Sequence, residues 1–130
     1  MAMAKRVKDL MVENVKTVDL NISVQEAVNV MAKNNIGALV VLSPIQEAIG
    51  VFTERDLLKR VAAYGVDMQK TRVSEVMTPK FQCVQAEDEL DGLPEIMIRH
   101  NFRHLPVVDG HQVIGMLSMR DLLKYLCQIK

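Results

Sequence analysis

A hydroxyl residue followed three positions later by an aspartate occurs twice in this chain, each time after an apolar segment. The first copy, GVFTERDLLK, contains Thr53 and Asp56, and the second, GMLSMRDLLK, contains Ser118 and Asp121. Where such a segment enters a helix, the hydroxyl and the carboxylate cap free backbone amides. The same groups could bind a ligand, because the hydroxyl and the amides suit a phosphate and the carboxylate suits the hydroxyls of a ribose.

An arginine lies between the hydroxyl residue and the aspartate in both copies. Arg55 and Arg120 could balance the charge of a phosphate bound at the same helix start. Capping alone is also a sufficient reason for a hydroxyl and an aspartate at this spacing. The pattern therefore leaves two interpretations open, a structural cap and a nucleotide site.

Composition narrows the classes of function. The 130-residue chain has 16 Lys and Arg against 16 Asp and Glu, so it lacks the positive field that draws proteins to nucleic acids, and nucleic-acid binding is not expected.

No run approaches the roughly 18 apolar residues of a membrane span, and the start has no apolar signal core, which predicts a cytoplasmic protein without membrane association. Cys83 and Cys127 show no CxxC spacing, so neither a disulfide framework nor a metal site is expected.

The sequence repeats itself when it is aligned with its own copy. At an offset of 66, Met31 aligns with Met97 and many neighbours also match, and after one deletion the offset becomes 65. We predict repeat 1 at residues 7–64, a linker at 65–72 and repeat 2 at 73–130.

Each repeat shows the pattern of a strand, a helix, two strands and a second helix. Ser23 and Glu26 have capping-box spacing before an apolar helix face, and the apolar run IGALVVL is typical of a buried strand. In repeat 2, Gly92 and Pro94 disfavour a helix interior, so the first helix there is expected to start late, near Leu93, or to be kinked. The predicted fold class is α+β, with two β-α-β-β-α repeats.

The order of these segments resembles the CBS domain family. VKDLM and VSEVMTP lead into the repeats, IGALVVL and FRHLPVVD follow, and G-x-x-[TS]-x-x-D comes last, so the resemblance to a tandem CBS pair, or Bateman module, covers nearly the whole chain. It implies a stand-alone module with pseudo-twofold symmetry that is not an enzyme and has no catalytic residues and no catalytic cofactor. Two clefts between the repeats would bind adenosine derivatives, namely AMP, ADP or ATP, and in some cases NAD or S-adenosylmethionine.

In this family each cleft combines the hydroxyl and aspartate of one repeat with strand residues of the other. The resemblance places the following residues in cleft A: Thr17, Val18, Ile36, Gly37, Ala38, Ser118, Arg120 and Asp121. It places a second set in cleft B: Thr53, Arg55, Asp56, Cys83, Val84, Phe102, Arg103 and His104. It implies that the aspartates bind ribose, the hydroxyls bind phosphate and the apolar side chains enclose the adenine.

The two residue sets differ in charge. Arg103 and His104 are candidates to bind the phosphate tail in cleft B, whereas Gly37 and Ala38 offer only backbone and space at the matching positions of cleft A. Cys83 stands where the family usually has a threonine. Equal occupancy of the two clefts is therefore not predicted.

The leading hypothesis is a regulatory module that senses an adenine nucleotide and signals to an unidentified partner protein by a change of conformation. The alternative is a structural dimerisation or protein-interaction module with empty clefts, since CBS pairs commonly form homodimers through their amphipathic helices. Catalysis by Cys83 and His104 is disfavoured, because nothing supplies an oxyanion hole or a third orienting group.

Overall fold

Two β-sheets and six α-helices are present in the part of the chain that the computed structural model describes, residues 4–13, 15–79 and 82–128. Both sheets combine parallel and antiparallel pairing. The prediction of an α+β fold is confirmed. None of the described helices is long and apolar enough to cross a membrane.

The elements alternate between short strands and short helices along the chain. In order they are α1 (Val7–Leu10), β1 (Thr17–Asp19), α2 (Val24–Asn34), β2 (Ala38–Leu42), β3 (Ala48–Thr53), α3 (Glu54–Asp56), α4 (Val73–Val76), β4 (Thr78–Pro79), β5 (Val84–Gln85), α5 (Leu93–His100), β6 (His104–Asp109), β7 (Gln112–Ser118) and α6 (Met119–Gln128). Helix α3 continues as a π-helical turn, Leu57–Val61, and ends in a 3₁₀ turn, Ala62–Tyr64.

The compact units of the structure have different boundaries from the repeats of the sequence. One unit spans residues 16–81, and the other combines residues 1–15 with residues 82–130. The segment that leads into each repeat therefore packs with the strands of the other repeat. We call these lead-in segments the leaders, residues 7–12 and residues 73–79.

The unit of residues 16–81 is built on a four-stranded sheet in the order β1-β2-β3-β4. Strand β1 runs parallel to β2, while β3 is antiparallel to both β2 and β4. The continuous apolar sequence of β2 follows from its central position, where both faces are covered. Phe52, Leu39 and Met31 pack in its core, together with Val73 from the leader.

Caps fix the ends of the helices in this unit. The Ser23 hydroxyl accepts a hydrogen bond from the Glu26 amide at 3.0 Å and so starts α2, as its position in the sequence predicts. Asn35 ends α2 in the left-handed region at φ 52°. Gly65 ends the helix that begins with α3 in the same way, at φ 62°.

The other unit has a three-stranded sheet in the order β5-β6-β7. Its first helix, α5, begins at Leu93, so the expectation of a late start is confirmed and no kinked helix is needed. Gly92 precedes it at φ 79°, a conformation that favours glycine. Pro94 lies in the first turn, where its missing amide leaves no helical hydrogen bond unmade.

The first leader is fixed to this unit by main-chain and ionic contacts. The Val7 and Lys8 amides donate to the carbonyls of Asp88 and Ala86, at 2.9 and 3.0 Å. The backbone amides of Arg6 and Lys5 donate to the Asp9 carboxylate, which lowers the pKa of that group. Helix α1 has only four residues, so these contacts rather than helix propensity hold it in place.

The glycine that opens each repeated phrase makes room for a leader. A Cβ on Gly50 would lie 2.8 Å from the Thr78 carbonyl oxygen, and a Cβ on Gly115 would lie 3.0 Å from the Val12 carbonyl oxygen. The first distance is too short for carbon and oxygen unless the backbone moves, and the second is tighter than most such contacts, so the leader would have to shift slightly. The packing of the leaders thus favours glycine at both positions.

Replacement of Gly50 tests this packing. Gly50→Ala is expected to lower the free energy of unfolding by about 1–3 kcal/mol, because the added methyl forces the Met77–Thr78 segment away from β3. Urea unfolding followed by circular dichroism measures the change. The exposed Lys59→Ala change on the π-helical turn is the control and should stay within about 0.5 kcal/mol of the original. Equal stability of the two variants would contradict the packing argument.

Candidate functional site

Thr53 and Asp56 form a tight corner where β3 runs into α3. The Asp56 amide donates to the Thr53 hydroxyl at 3.2 Å, and the Thr53 amide donates back to Asp56 Oδ2 at 2.9 Å. The Thr53 hydroxyl also donates to Oδ2, at 3.1 Å. This is a complete reciprocal cap, so the capping interpretation of the sequence is satisfied here.

Two further residues close the other side of the Asp56 carboxylate. The Thr78 hydroxyl donates to Oδ1 at 2.8 Å, and Arg60 Nε lies 3.5 Å from the same oxygen. Arg60 Nη1 also donates to the Met77 carbonyl at 2.7 Å. With these partners Asp56 is only 5% exposed, and it is the one charged residue in the buried part of the described chain.

Ser118 and Asp121 form the matching corner between β7 and α6. The Ser118 amide donates to Asp121 Oδ2 at 2.8 Å, and the Asp121 amide donates to the Ser118 hydroxyl at 3.1 Å. Within the described residues, no other group donates a hydrogen bond to the Asp121 carboxylate. Asp121 is also partly exposed.

The two corners differ because the aligned residues of the two repeats differ at two positions. Thr78 aligns with Val12, and Arg60 aligns with Tyr125. Val12 pairs with Met116 as Thr78 pairs with Val51, so the two leader residues occupy matching places. Valine offers no hydroxyl, and the Tyr125 hydroxyl donates to the Ala4 carbonyl at 3.1 Å.

The strand residues expected to contribute to cleft A all lie in the unit of residues 16–81. Thr17 is exposed, Val18 and Ile36 are half-buried against the core, and Ala38 is buried. Ala38 is the register partner of Thr53 across the β2–β3 pair. Within this unit, the structure therefore brings a residue assigned to cleft A beside a residue assigned to cleft B.

The expectation of free space at Gly37 is wrong. The Glu54 carboxylate lies against Gly37, at the place where a side chain would project, and the Glu54 amide donates to the Gly37 carbonyl at 3.0 Å. The cause is local, because Glu54 follows Thr53 and so enters α3 directly beside the start of β2. A negative charge therefore occupies the position that aligns with Arg103 in repeat 2.

The strand residues expected in cleft B lie in the other unit. Val84 is buried in its core, and Phe102 is half-buried and stacks on His100 with 5.3 Å between ring centroids. Arg103 is exposed, and His104 is partly buried as the register partner of Ser118.

Cys83 immediately precedes β5 and is partly buried. Burial raises the pKa of its thiol, which disfavours the thiolate that a nucleophile requires. No group of His, Cys, Asp and Glu among the described residues could hold a metal ion.

Comparison with known proteins decides the family. A family model described as CBS domain matches residues 7–63 and 73–128. The chain belongs to the CBS domain family. CBS pairs are in general regulatory ligand-binding modules.

Relatives of this CBS pair include proteins of similar length. The CBS domain-containing protein YhcV of Bacillus subtilis is 36% identical over 118 residues, which cover 89% of this chain and 81% of that protein. The crystal structure of the CBS-domain containing protein ATU1752 from Agrobacterium tumefaciens has a TM-score of 0.86 and 36% identity, over 97% of this chain and 96% of that one. The CBS domain pair of protein MJ0100, in complex with 5-methylthioadenosine and S-adenosyl-L-methionine, has a TM-score of 0.86 and 25% identity, with 99% and 100% covered.

Sequence reasoning missed three residues that shape the corners of this CBS pair, namely Thr78, Arg60 and Glu54. The signal was present for all three, because each replaces an apolar or aromatic residue at the matching position of the other repeat. This signal could be recognised only by knowing which mismatched positions lie near the aspartates in the folded protein. The grouping of residues from both repeats into clefts A and B stays a prediction.

The two cysteines are expected to differ in reactivity. At pH 8, iodoacetamide should alkylate Cys127 several-fold faster than Cys83, because Cys127 is exposed and burial raises the pKa of the Cys83 thiol. Mass spectrometry of tryptic peptides measures both rates in one sample. In urea the rates should converge, and a faster reaction at Cys83 in the folded protein would contradict the burial.

Proposed function

We propose that this CBS pair is a regulatory module that binds an adenosine-containing small molecule without chemical conversion and signals its presence to a partner protein. The observation that carries the proposal is the Ser118–Asp121 corner. There a partly exposed carboxylate has a single hydrogen-bond donor from the described protein groups, at the start of a ten-residue helix.

The chemistry of this corner fits a nucleoside with a phosphate. Asp121 Oδ1 can accept hydrogen bonds from two ribose hydroxyls, a task that a carboxylate performs better than a neutral acceptor. Arg120 is exposed next to it and can pair with a phosphate. The positive end of the α6 dipole favours an anion at the same place.

One relative and the residue types at the Ser118–Asp121 corner support an adenosine-containing ligand. The CBS pair of protein MJ0100 was solved with two adenosine-containing compounds. We expect the same class here, with AMP, ADP and ATP ahead of NAD and S-adenosylmethionine because of Arg120. The strand residues that the family resemblance assigns to the same cleft are Thr17, Val18, Ile36, Gly37 and Ala38.

A ligand of this class would act by population shift. It can favour one conformation only by the difference in its affinity for two conformations, and a partner protein then reads the favoured one. Signalling of this kind needs no chemical reaction of the ligand. This agrees with the raised pKa of the Cys83 thiol, which disfavours the nucleophilic thiolate, and with the hydrogen bonds already made at the Thr53–Asp56 corner.

Isothermal titration tests the proposal. AMP, ADP, ATP, NAD and S-adenosylmethionine are titrated separately into the protein, and at least one is expected to bind at or below about millimolar concentration. Asp121→Ala should weaken that binding at least tenfold, because the ribose loses its charged acceptor. Asp109→Ala, at the exposed end of β6 in the same unit, is the matched control and should bind normally.

Two results would count against this function. One is the absence of heat with all five compounds at millimolar concentration. The other is unchanged binding by Asp121→Ala, which would show that Asp121 serves as a helix cap only. Thermal unfolding of each variant without ligand confirms that it is folded.

A second candidate function is assembly into a homodimer, favoured by apolar side chains on α6. Leu123 and Leu126 are 56% and 49% exposed, whereas their neighbour Leu122 is buried. Exposed leucines three residues apart on one helix are typical of a helix that packs against another.

Sedimentation velocity tests this assembly. We expect a dimer for the original protein and a monomer for Leu123→Lys/Leu126→Lys, because two charges would be desolvated in the interface. Lys124→Leu, on the same helix, is the control and should not reduce the dimer. A monomer in the original protein at micromolar concentration would exclude this candidate.

A further inference from the structure

We propose that Thr78 and Arg60 hold Asp56 closed, so that each chain binds one adenosine ligand, at Asp121, and none at Asp56. This inference rests on the function proposed above, since it states which of the two aspartates serves the ligand. It assigns to Asp56 a structural role, as the centre of a latch between α3 and the second leader. We call Asp56, Thr78 and Arg60 the latch.

The first step is the number of donors already bound to Asp56. Oδ2 accepts from the Thr53 amide and hydroxyl, and Oδ1 accepts from the Thr78 hydroxyl with Arg60 Nε nearby. A carboxylate has about four acceptor positions, and here three of them hold hydrogen bonds while the Arg60 guanidinium forms an ion pair with Oδ1. A ribose could bind only by displacing the Thr78 hydroxyl or the Arg60 guanidinium.

The second step is the cost of such a displacement. Asp56 is 5% exposed, so a ribose hydroxyl cannot reach it while the leader stays in place. The backbone of Thr78 is held in the β3–β4 pair as the partner of Val51, so its hydroxyl stays close to Oδ1. A ribose would thus have to turn that hydroxyl out of its hydrogen bond before it could bind.

The third step is the geometry of Arg60. It lies in the π-helical turn that continues α3, and its guanidinium spans the Asp56 carboxylate and the Met77 carbonyl. Tyr125, which aligns with it, lies in a regular part of α6 and bonds to Ala4 instead. π-helical turns within helices commonly serve a local functional requirement, and here the turn accompanies the second bond to the leader.

The fourth step is the contrast with Asp121. Its only donor from the described protein is the Ser118 amide, and the leader residue beside that corner is Val12. The two corners share their caps and their strand-to-helix geometry. They differ in whether the leader supplies a donor, so the latch is the specific cause of the predicted difference in binding.

Titration stoichiometry gives the first test. With AMP as the probe, the original protein is expected to bind about one ligand per chain. Asp56→Ala should leave that value and the affinity within twofold, whereas Asp121→Ala should weaken binding at least tenfold. A value of two in the original protein, or a loss of binding by Asp56→Ala in a sample that remains folded, would overturn the inference.

Exchange of the latch residues between the repeats gives a sharper test. Thr78→Val/Arg60→Tyr gives the first corner the residues of the second and should raise the stoichiometry from about one to about two. Val12→Thr gives the second corner a hydroxyl and should weaken AMP binding at least tenfold. Unchanged stoichiometry in the first variant and unchanged affinity in the second would show that the latch does not control access.

A measurement without ligand separates the latch from the proposed function. In urea unfolding, Asp56→Ala and Thr78→Val should each reduce the folding equilibrium constant about tenfold, and the double variant should lose much less than the product of the two. Independent effects would overturn the latch even if AMP binds. If the effects are coupled but no adenosine compound binds, the proposed function fails and the latch stands as a structural element.

Discussion

The fit of each leader over a glycine is the constraint on which the rest of the structure depends. Gly50 and Gly115 have no room for a Cβ because the carbonyls of Thr78 and Val12 pass directly over them. The sheet of each unit is thus completed by a segment that the sequence assigns to the other repeat. A single repeat of about sixty residues would bury too little apolar surface and would leave its strand edge unpaired.

The exchange of leaders also explains why one motif has two chemical outcomes. The capping hydrogen bonds are made inside the motif, so both aspartates satisfy them in the same way. The leader comes from another part of the chain, and its side chain determines whether the second carboxylate oxygen, Oδ1, receives a hydrogen bond. A threonine there donates to the second oxygen, whereas a valine has no hydroxyl to donate. Together with Arg60, this side chain is the proposed reason why one carboxylate is structural and the other binds ligand.

Much of the fold could be predicted from the sequence, because periodicity and capping act over a few residues. The start of α2 at Ser23, the buried run of β2 and the late start of α5 all depend on local preferences. The latch and the Glu54 carboxylate over Gly37 could not be predicted, since both join residues through tertiary packing. A pattern that repeats in sequence indicates that two corners exist, and it does not indicate that their surroundings are equal.

The proposed single ligand site would limit the kind of signal that this CBS pair can give. One site with no coupled partner responds to ligand along a simple saturation curve, so its occupancy needs roughly 80-fold in ligand concentration to rise from a tenth to nine-tenths. Two coupled sites could respond more steeply, because the first ligand would change the affinity for the second. A closed latch at Asp56 removes that possibility within the chain. A protein with this arrangement is suited to report a graded level of nucleotide, and a steeper response would require coupling between chains.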